Sequence, residues 1–306
     1  MSAEPEARVD LAQIAQIELF ILKRMKEFAA GDHGSVFKGS GFNFAGLRDW
    51  QPGDPASSID WAQSSLTNFS PLVTREFEQN STATIVAAVD ASLSTRCGAN
   101  GVSIRASIAR AVAAVGLSAV LFQDQFGVIA FDDRFRECLS VRPRIGKPHV
   151  VHCLDLYLRC GSGAERGSPG ELTACVAAQL RKTSLVPVIS DWLFAEAPEF
   201  IEELALLNAA HDVFLMFLDV RFAFSLPDLS SGWVEVLDVE TGRARVLSRR
   251  EARRLASRID AWQNDLMRRA REAGLDSVRV GLDRFEMENA LVQFVAERRL
   301  RKQKAA

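Results

Sequence analysis

Cysteine is scarce and unpaired in this sequence of 306 residues. Cys97, Cys138, Cys153, Cys160 and Cys175 form an odd set, with neither the paired spacing of a disulfide framework nor that of a zinc ribbon. Reduced thiols in a reducing compartment are the expectation. An excess of one charge is missing too: Lys plus Arg number 37 and Asp plus Glu 39, a net charge of −2, so no overall field draws the chain to nucleic acid or an anionic membrane. The opening Met1-Ser-Ala-Glu-Pro-Glu is acidic where a secretory leader would be basic. No run approaches the roughly 18 apolar residues that cross a bilayer. A cytoplasmic protein with no membrane span is expected. Also absent are the Gly-x-x-x-x-Gly-Lys-Ser/Thr phosphate loop, His-Glu-x-x-His and Gly-x-Ser-x-Gly, which removes the support for nucleotide motors and the major hydrolases.

What is present belongs to an ordinary globular protein, with 48% hydrophobic and 25% charged residues. From Val9 to Ala29 the residues Ile14, Ile17, Ile21 and Phe28 recur at near-helical spacing, which predicts an amphipathic helix. A stretch rich in Gly, Pro, Asp and Ser follows, from Gly31 to about Ser70, and reads as an irregular arm. Its Trp50, Trp61 and Phe69 are candidate anchors.

Beyond it, apolar strands alternate with helices. Strands are expected at Thr84–Val89, Phe126–Phe131, Phe135–Val141, Leu185–Ser190 and Val213–Leu218, and helices at 103–122, 147–160, 171–182 and 197–210. Such alternation implies a mainly parallel sheet covered on both faces. A hairpin at a sheet edge, a long helix from Arg249, a strand at Ser277–Leu282 and a last helix at Phe285–Leu300 complete the chain. The expected division is an arm over 1–81 packing on the core, a sheet domain over 82–225, and an extension over 226–306 completing the same unit.

The sharpest local feature is Asp90-Ala91-Ser92-Leu93-Ser94, directly after the strand Thr84–Val89. Ligands of open α/β sheets bind at the carboxyl ends of strands. A carboxylate and two hydroxyls spaced by two residues can converge there, supplying hard oxygen ligands that suit Mg²⁺ and leave room for water. Asp191 follows Leu185–Ser190 in the same topological position, so the fold should bring it toward Asp90. The bland alternative is a turn-forming cluster, since Asp and Ser bond local backbone.

Asp-x-Ser-x-Ser with a later Asp resembles a von Willebrand factor A-like domain and its metal-ion-dependent adhesion site. The stretches Gly39-Ser-Gly41-Phe42-Asn43-Phe44, Leu47-Arg48-Asp49-Trp50-Gln51-Pro52-Gly53-Asp54, Ile59-Asp60-Trp61 and Val73-Thr74-Arg75-Glu76-Phe77-Glu78 are similar to domain-of-unknown-function family number fifty-eight. The resemblance implies an α/β three-layer sandwich with a central mainly parallel sheet, preceded by a helix and an irregular arm and followed by a β-hairpin and helical extension. It implies Mg²⁺ or Mn²⁺ at Asp90, Ser92, Ser94 and Asp191. It implies, further, a non-catalytic adaptor working with a MoxR-type AAA+ ATPase on a client protein. The family's threonine ligand would fall on Gly170, so Ser168 or Thr173 would have to substitute. A metal-dependent phosphoryl-group hydrolase using the same carboxylates is the rival.

Two weaker signals remain. His149, His152 and Cys153 are close enough on one predicted helix to hold zinc, but structural zinc needs four ligands, and packing is the commoner use. The arginines between Arg243 and Arg271 could form a basic stripe for nucleic acid. Glu251, Asp260, Asp265 and Glu272 interleave with them, which favours an ordinary solvated helix face.

Overall fold

The computed structural model describes residues 43–52, 59–66, 68–78, 83–99, 102–132, 135, 137–160, 168–180, 182–220, 233–237 and 244–281. The expected helices at 9–29 and 285–300 lie outside the described residues. Residues 25–82 form one compact unit and those from 83 onward another.

The smaller unit is built on an antiparallel pair, β1 (Asn43–Asp49) and β2 (Val73–Glu78), whose register shifts between Phe44 and Gly46. Between them α1 (Trp61–Leu66) starts beside Asp60, whose Oδ1 accepts the Gln63 amide at 3.2 Å. Ser64 fastens α1 to β2, its Oγ accepting the Val73 amide at 2.9 Å. The expectation of an irregular arm is thereby corrected. A shifted register breaks the two-residue alternation that marks a strand, and a long connection separates the partners, so local pattern does not betray the pairing. Trp61 and Phe69 are 59% and 55% exposed, so neither anchors this unit.

In the larger unit β3 (Thr84–Asp90) leads through the small hairpin β4 (Gly98–Ala99) and β5 (Val102–Ser103) into α2 (Ile104–Leu121). Then come β6 (Gln125–Phe131), β7 (Glu137–Arg144), α3 (Lys147–Arg159), α4 (Pro169–Gln179), β8 (Leu185–Ser190), α5 (Ala197–Asn208) and β9 (Asp212–Leu218). A separate antiparallel pair, β10 (Trp233–Leu237) and β11 (Ala244–Ser248), precedes α6 (Arg249–Glu272) and β12 (Asp276–Val280). The main sheet has six strands in the order β12-β9-β8-β3-β6-β7, all parallel except β7.

Why these strands lie at the centre follows from composition. Every residue of β3 is buried, as are all but the first of β6, β8 and β9, so they read as continuous apolar runs rather than alternating ones. Val86 and Ala88 turn to one face, where they share a core with Leu172 and Val176 of α4, Phe200 and Leu204 of α5, and Leu266 and Ala270 of α6. Ile85, Ala87 and Val89 turn to the other face, against α2, with α3 packed on α2. Contact between those two helices needs a glycine: a Cβ on Gly116 would stand 2.7 Å from Val150 Cγ1. Helices thus cover both faces of a mainly parallel sheet, as expected.

Three details depart from expectation. Among the described residues α2 is long and apolar enough to cross a membrane by length and composition, with mean hydropathy 1.6 over 18 residues, although no such run was foreseen. Arg105, Ser107, Arg110 and Ser118 interrupt the run, and 78% of the helix is buried inside the unit. The strand expected at Phe135–Val141 begins instead at Glu137, because Phe135 takes a left-handed φ of 57° and turns its ring into a cluster with Phe131, Phe194 and Phe200. Finally, the β10–β11 pair is a sheet of its own and not an edge of the main one.

Candidate metal centre

From β3 the chain winds through β6 and β7 to one side of the sheet, and later through β8, β9 and β12 to the other. The carboxyl ends of β3 and β8 therefore lie where the winding reverses, the place where such sheets bind ligands. Asp90 ends β3, and Asp191 follows the last residue of β8; they are 1% and 2% exposed.

The Asp90 carboxylate is held from two sides. Its Oδ1 accepts the Ser92 amide at 2.9 Å, which folds the Asp-x-Ser-x-Ser stretch back on itself, and its Oδ2 accepts the Ser190 hydroxyl at 2.6 Å. The Ser92 and Ser94 hydroxyl oxygens lie 2.9 Å apart. Thr95 steadies the turn by donating to the Ser92 carbonyl at 2.6 Å. On the β8 side, Ser190 Oγ also accepts the Trp192 amide at 2.9 Å, and Asp191 Oδ1 accepts the Leu193 amide at 3.0 Å. Trp192 has a left-handed φ of 60°, an uncommon state for a bulky residue that costs roughly 1–3 kcal/mol. Burial of its whole ring, stacking on Phe217 at 4.8 Å and a 3.0 Å bond from Nε1 to the Met216 carbonyl hold it there.

A profile for the family described as protein of unknown function DUF58 matches residues 46–265. The chain belongs to the DUF58 family. No curated protein matches it. Similar solved structures include the conserved hypothetical protein BatB from Bacteroides thetaiotaomicron, with 15% identity and a TM-score of 0.43 over 70% of this chain and 98% of that one. An aerotolerance-related membrane protein from Bacteroides fragilis gives 15% and 0.44 over 70% and 97%. The PilB minor pilin from Streptococcus sanguinis gives 9% and 0.41 over 76% and 64%.

In this DUF58 chain the candidate donors are the carboxylates of Asp90 and Asp191 and the neighbouring hydroxyls of Ser92 and Ser94. Among the described residues no three His, Cys, Asp or Glu side chains gather closely enough to hold an ion by themselves. Oxygen donors with few charges suit a hard cation that keeps part of its water, so Mg²⁺ or Mn²⁺ fits and a thiophilic metal does not. The two substitutes for the third ligand are both engaged within α4. Ser168 caps it, accepting the Glu171 amide at 3.2 Å, while Thr173 donates to the Gly170 carbonyl at 3.0 Å. Gly170 itself faces α5, where an added Cβ would lie 3.5 Å from Glu203 Oε2.

Three supporting residues escaped the sequence reading. Tyr157, the chain's one tyrosine, is fully buried and donates to the Asp90 backbone carbonyl at 2.7 Å. Burial pushes its hydroxyl well above the usual tyrosine value; the Arg105 guanidinium, 5.2 Å over the ring, pulls the other way. Arg105 is buried as well and caps the end of α3, donating to the carbonyls of Tyr157 and Cys160. Gln263 of α6 reaches the Asp191 and Leu218 carbonyls at 2.8 and 2.9 Å. A signal for it existed, since it is the polar member of the helical stripe Ile259, Gln263, Leu266, Ala270.

The zinc candidates do not assemble a site. His149 Nε2 lies 3.1 Å from the Arg142 carbonyl and 3.6 Å from Cys153 Sγ, and burial pushes the Cys153 thiol up to about 12, which keeps it protonated. The arginine stripe is partly self-paired: Arg268 and Arg269 bridge to Asp265, and Arg268 also to Glu272.

Proposed function

We propose that this DUF58 chain is a non-catalytic interaction protein that grips a partner's carboxylate through Mg²⁺ or Mn²⁺. The site is of the von Willebrand factor A-like, metal-ion-dependent adhesion type. Asp90, Ser92, Ser94 and Asp191 hold the ion directly or through water, leaving one coordination position for the partner. In this reading residues 82–225 are the von Willebrand factor A-like domain, and 226–306 complete the unit. The partner carried over from the resemblance is a MoxR-type AAA+ ATPase, acting with the chain on a client protein in the cytoplasm.

One observation carries the reading: the Ser92 and Ser94 hydroxyls meet at 2.9 Å beside a buried Asp90, at the reversal point of the sheet. A turn-forming cluster needs the Asp90–Ser92 bond but has no use for two converging hydroxyls. The rival hydrolase needs a base, and the described histidines stand elsewhere: His149 and His152 lie on α3, and His211 precedes β9 at the opposite end of the sheet.

Calorimetric titration with Mn²⁺ tests the reading. Binding should be weak and should disappear in Asp90→Ala; equal affinities in the two proteins refute the assignment. Co-precipitation with a purified MoxR-type ATPase should be lost on adding EDTA. Phosphate release from a generic phosphoester by the wild type, abolished in both Asp90→Asn and Asp191→Asn, would promote the hydrolase instead.

A further inference from the structure

We infer that Gln263, on α6, is a positioning residue for the candidate metal centre, setting where Asp191 stands without touching the ion. Parallel strands end in carbonyls that the sheet no longer pairs, and such buried groups need donors. Gln263 supplies two at once. Its Nε2 donates to the Asp191 carbonyl at 2.8 Å and to the Leu218 carbonyl at 2.9 Å, so one amide bridges the ends of β8 and β9. The neighbouring Trp262 Nε1 donates to the next carbonyl in the chain, Trp192, at 2.9 Å. Consecutive side chains of one helix therefore hold consecutive peptides of the turn that carries Asp191.

The amide is there for these bonds and not for packing. Gln263 is fully buried on the stripe formed with Ile259, Leu266 and Ala270, where leucine would fill the space at lower desolvation cost. Its Oε1 is buried without a hydrogen-bond partner, so the residue carries an unmet acceptor in order to deliver its two donors. Both amide hydrogens go to carbonyls, which fixes the orientation, because the flipped amide would face two acceptors with an acceptor. Between these anchors the turn holds Trp192 at a φ of 60° and points Asp191 Oδ1 at the Leu193 amide, 3.0 Å away. Freed from Gln263, the Asp191 peptide would lose the bond that fixes its place beside β9.

For metal affinity the inference rests on the proposed cation site; for the geometry of the turn it does not. The experiment therefore compares full-length wild type with Gln263→Leu, and with Gln263→Met should leucine fail to fold. Two readouts are taken: Mn²⁺ affinity by calorimetry, and hydrogen exchange of the Leu193 amide without metal. Lost outer partners of metal ligands typically cost about 10- to 100-fold in affinity, so a folded variant should bind Mn²⁺ at least about tenfold more weakly and exchange the Leu193 amide faster. In an Asp191→Asn background the same substitution should weaken Mn²⁺ binding much less, which a purely structural role does not predict. Wild-type affinity in a folded variant overturns the inference. If the wild type binds no Mn²⁺, the cation reading fails and the Leu193 amide alone decides: unchanged exchange overturns the positioning role, and faster exchange sustains it.

Discussion

Ser190 donates its hydroxyl hydrogen to Asp90 Oδ2 across 2.6 Å, so the residue that ends β8 orients the carboxylate that ends β3. The Ser190 Oγ in turn accepts the Trp192 amide at 2.9 Å. Ser190 therefore couples the two halves of the site, one through a side chain and the other through the backbone leading out of Asp191.

Ser190→Ala should accordingly do two things. It strips a donor from one buried oxygen and an acceptor from one buried amide, which should lower stability by about 1–3 kcal/mol in urea unfolding. It also releases the orientation of Asp90, so Mn²⁺ affinity should fall by roughly tenfold or more. Loss of stability with unchanged affinity would mean that Asp90 is not a ligand, or that its orientation does not matter to the ion.

Two glycines separate a tolerable clash from an intolerable one. A Cβ on Gly116 would stand 2.7 Å from Val150 Cγ1, the tip of a side chain on a neighbouring helix. On Gly127 it would stand 2.6 Å from the Val141 carbonyl oxygen and 2.9 Å from Pro143 N, both backbone atoms of the strand paired with β6. Side chains can yield where a strand cannot, so overpacking at Gly116 should cost about 1–3 kcal/mol. Gly127→Ala should cost more than Gly116→Ala. Urea midpoints in the reverse order would show that β7 yields more readily than the interface of α2 with α3.

Much of this fold was legible because β3, β8 and β9 are buried on both faces and leave uninterrupted runs such as Ile85–Val89. The meeting of Asp90, Ser92 and Ser94 was legible because the three fall within five consecutive residues, one turn whose place after a strand is a local fact. Asp191 needed only the rule that strand ends in a parallel sheet share an edge. What stayed hidden depends on distant pairing. β1 finds β2 across a long connection and a shifted register, and nothing in Asn43–Asp49 marks it as half of a pair. Tyr157 sits 67 positions from the Asp90 carbonyl it bonds, and Gln263 sits 72 positions from Asp191. The sequence carries only the chemical oddity of each, a lone tyrosine in the chain and a glutamine on an apolar stripe.

Tyr157 links the core to the site and carries a pH signature of its own. Burial, the largest cause, drives its hydroxyl well above the usual 10.0, and the Asp90 charge adds to the effect. Cys153 behaves alike, moving from 9.0 to about 12 through burial. For both groups the folded value is raised, so the folded state holds the proton longer than the unfolded chain. Their contribution is fully present below the unfolded values and is lost as pH climbs through the folded ones. Stability should therefore decline above pH 9.0, through a thiol window reaching about 12 and a tyrosine window opening at 10.0. Tyr157→Phe separates the two, since it removes the bond to the Asp90 carbonyl together with the ionisable group. At neutral pH the variant should be less stable by about 0.5–1.5 kcal/mol, the net worth of one hydrogen bond. Above pH 10.0 that gap should narrow, because only the wild type still has tyrosine stability to lose. Urea unfolding across this range, alongside tyrosinate absorbance that reports the one tyrosine in the chain, checks both halves. Ionisation of Tyr157 near pH 10.0 in the folded protein would mean that water reaches the hydroxyl and that the floor of the site, where it meets Asp90, is open.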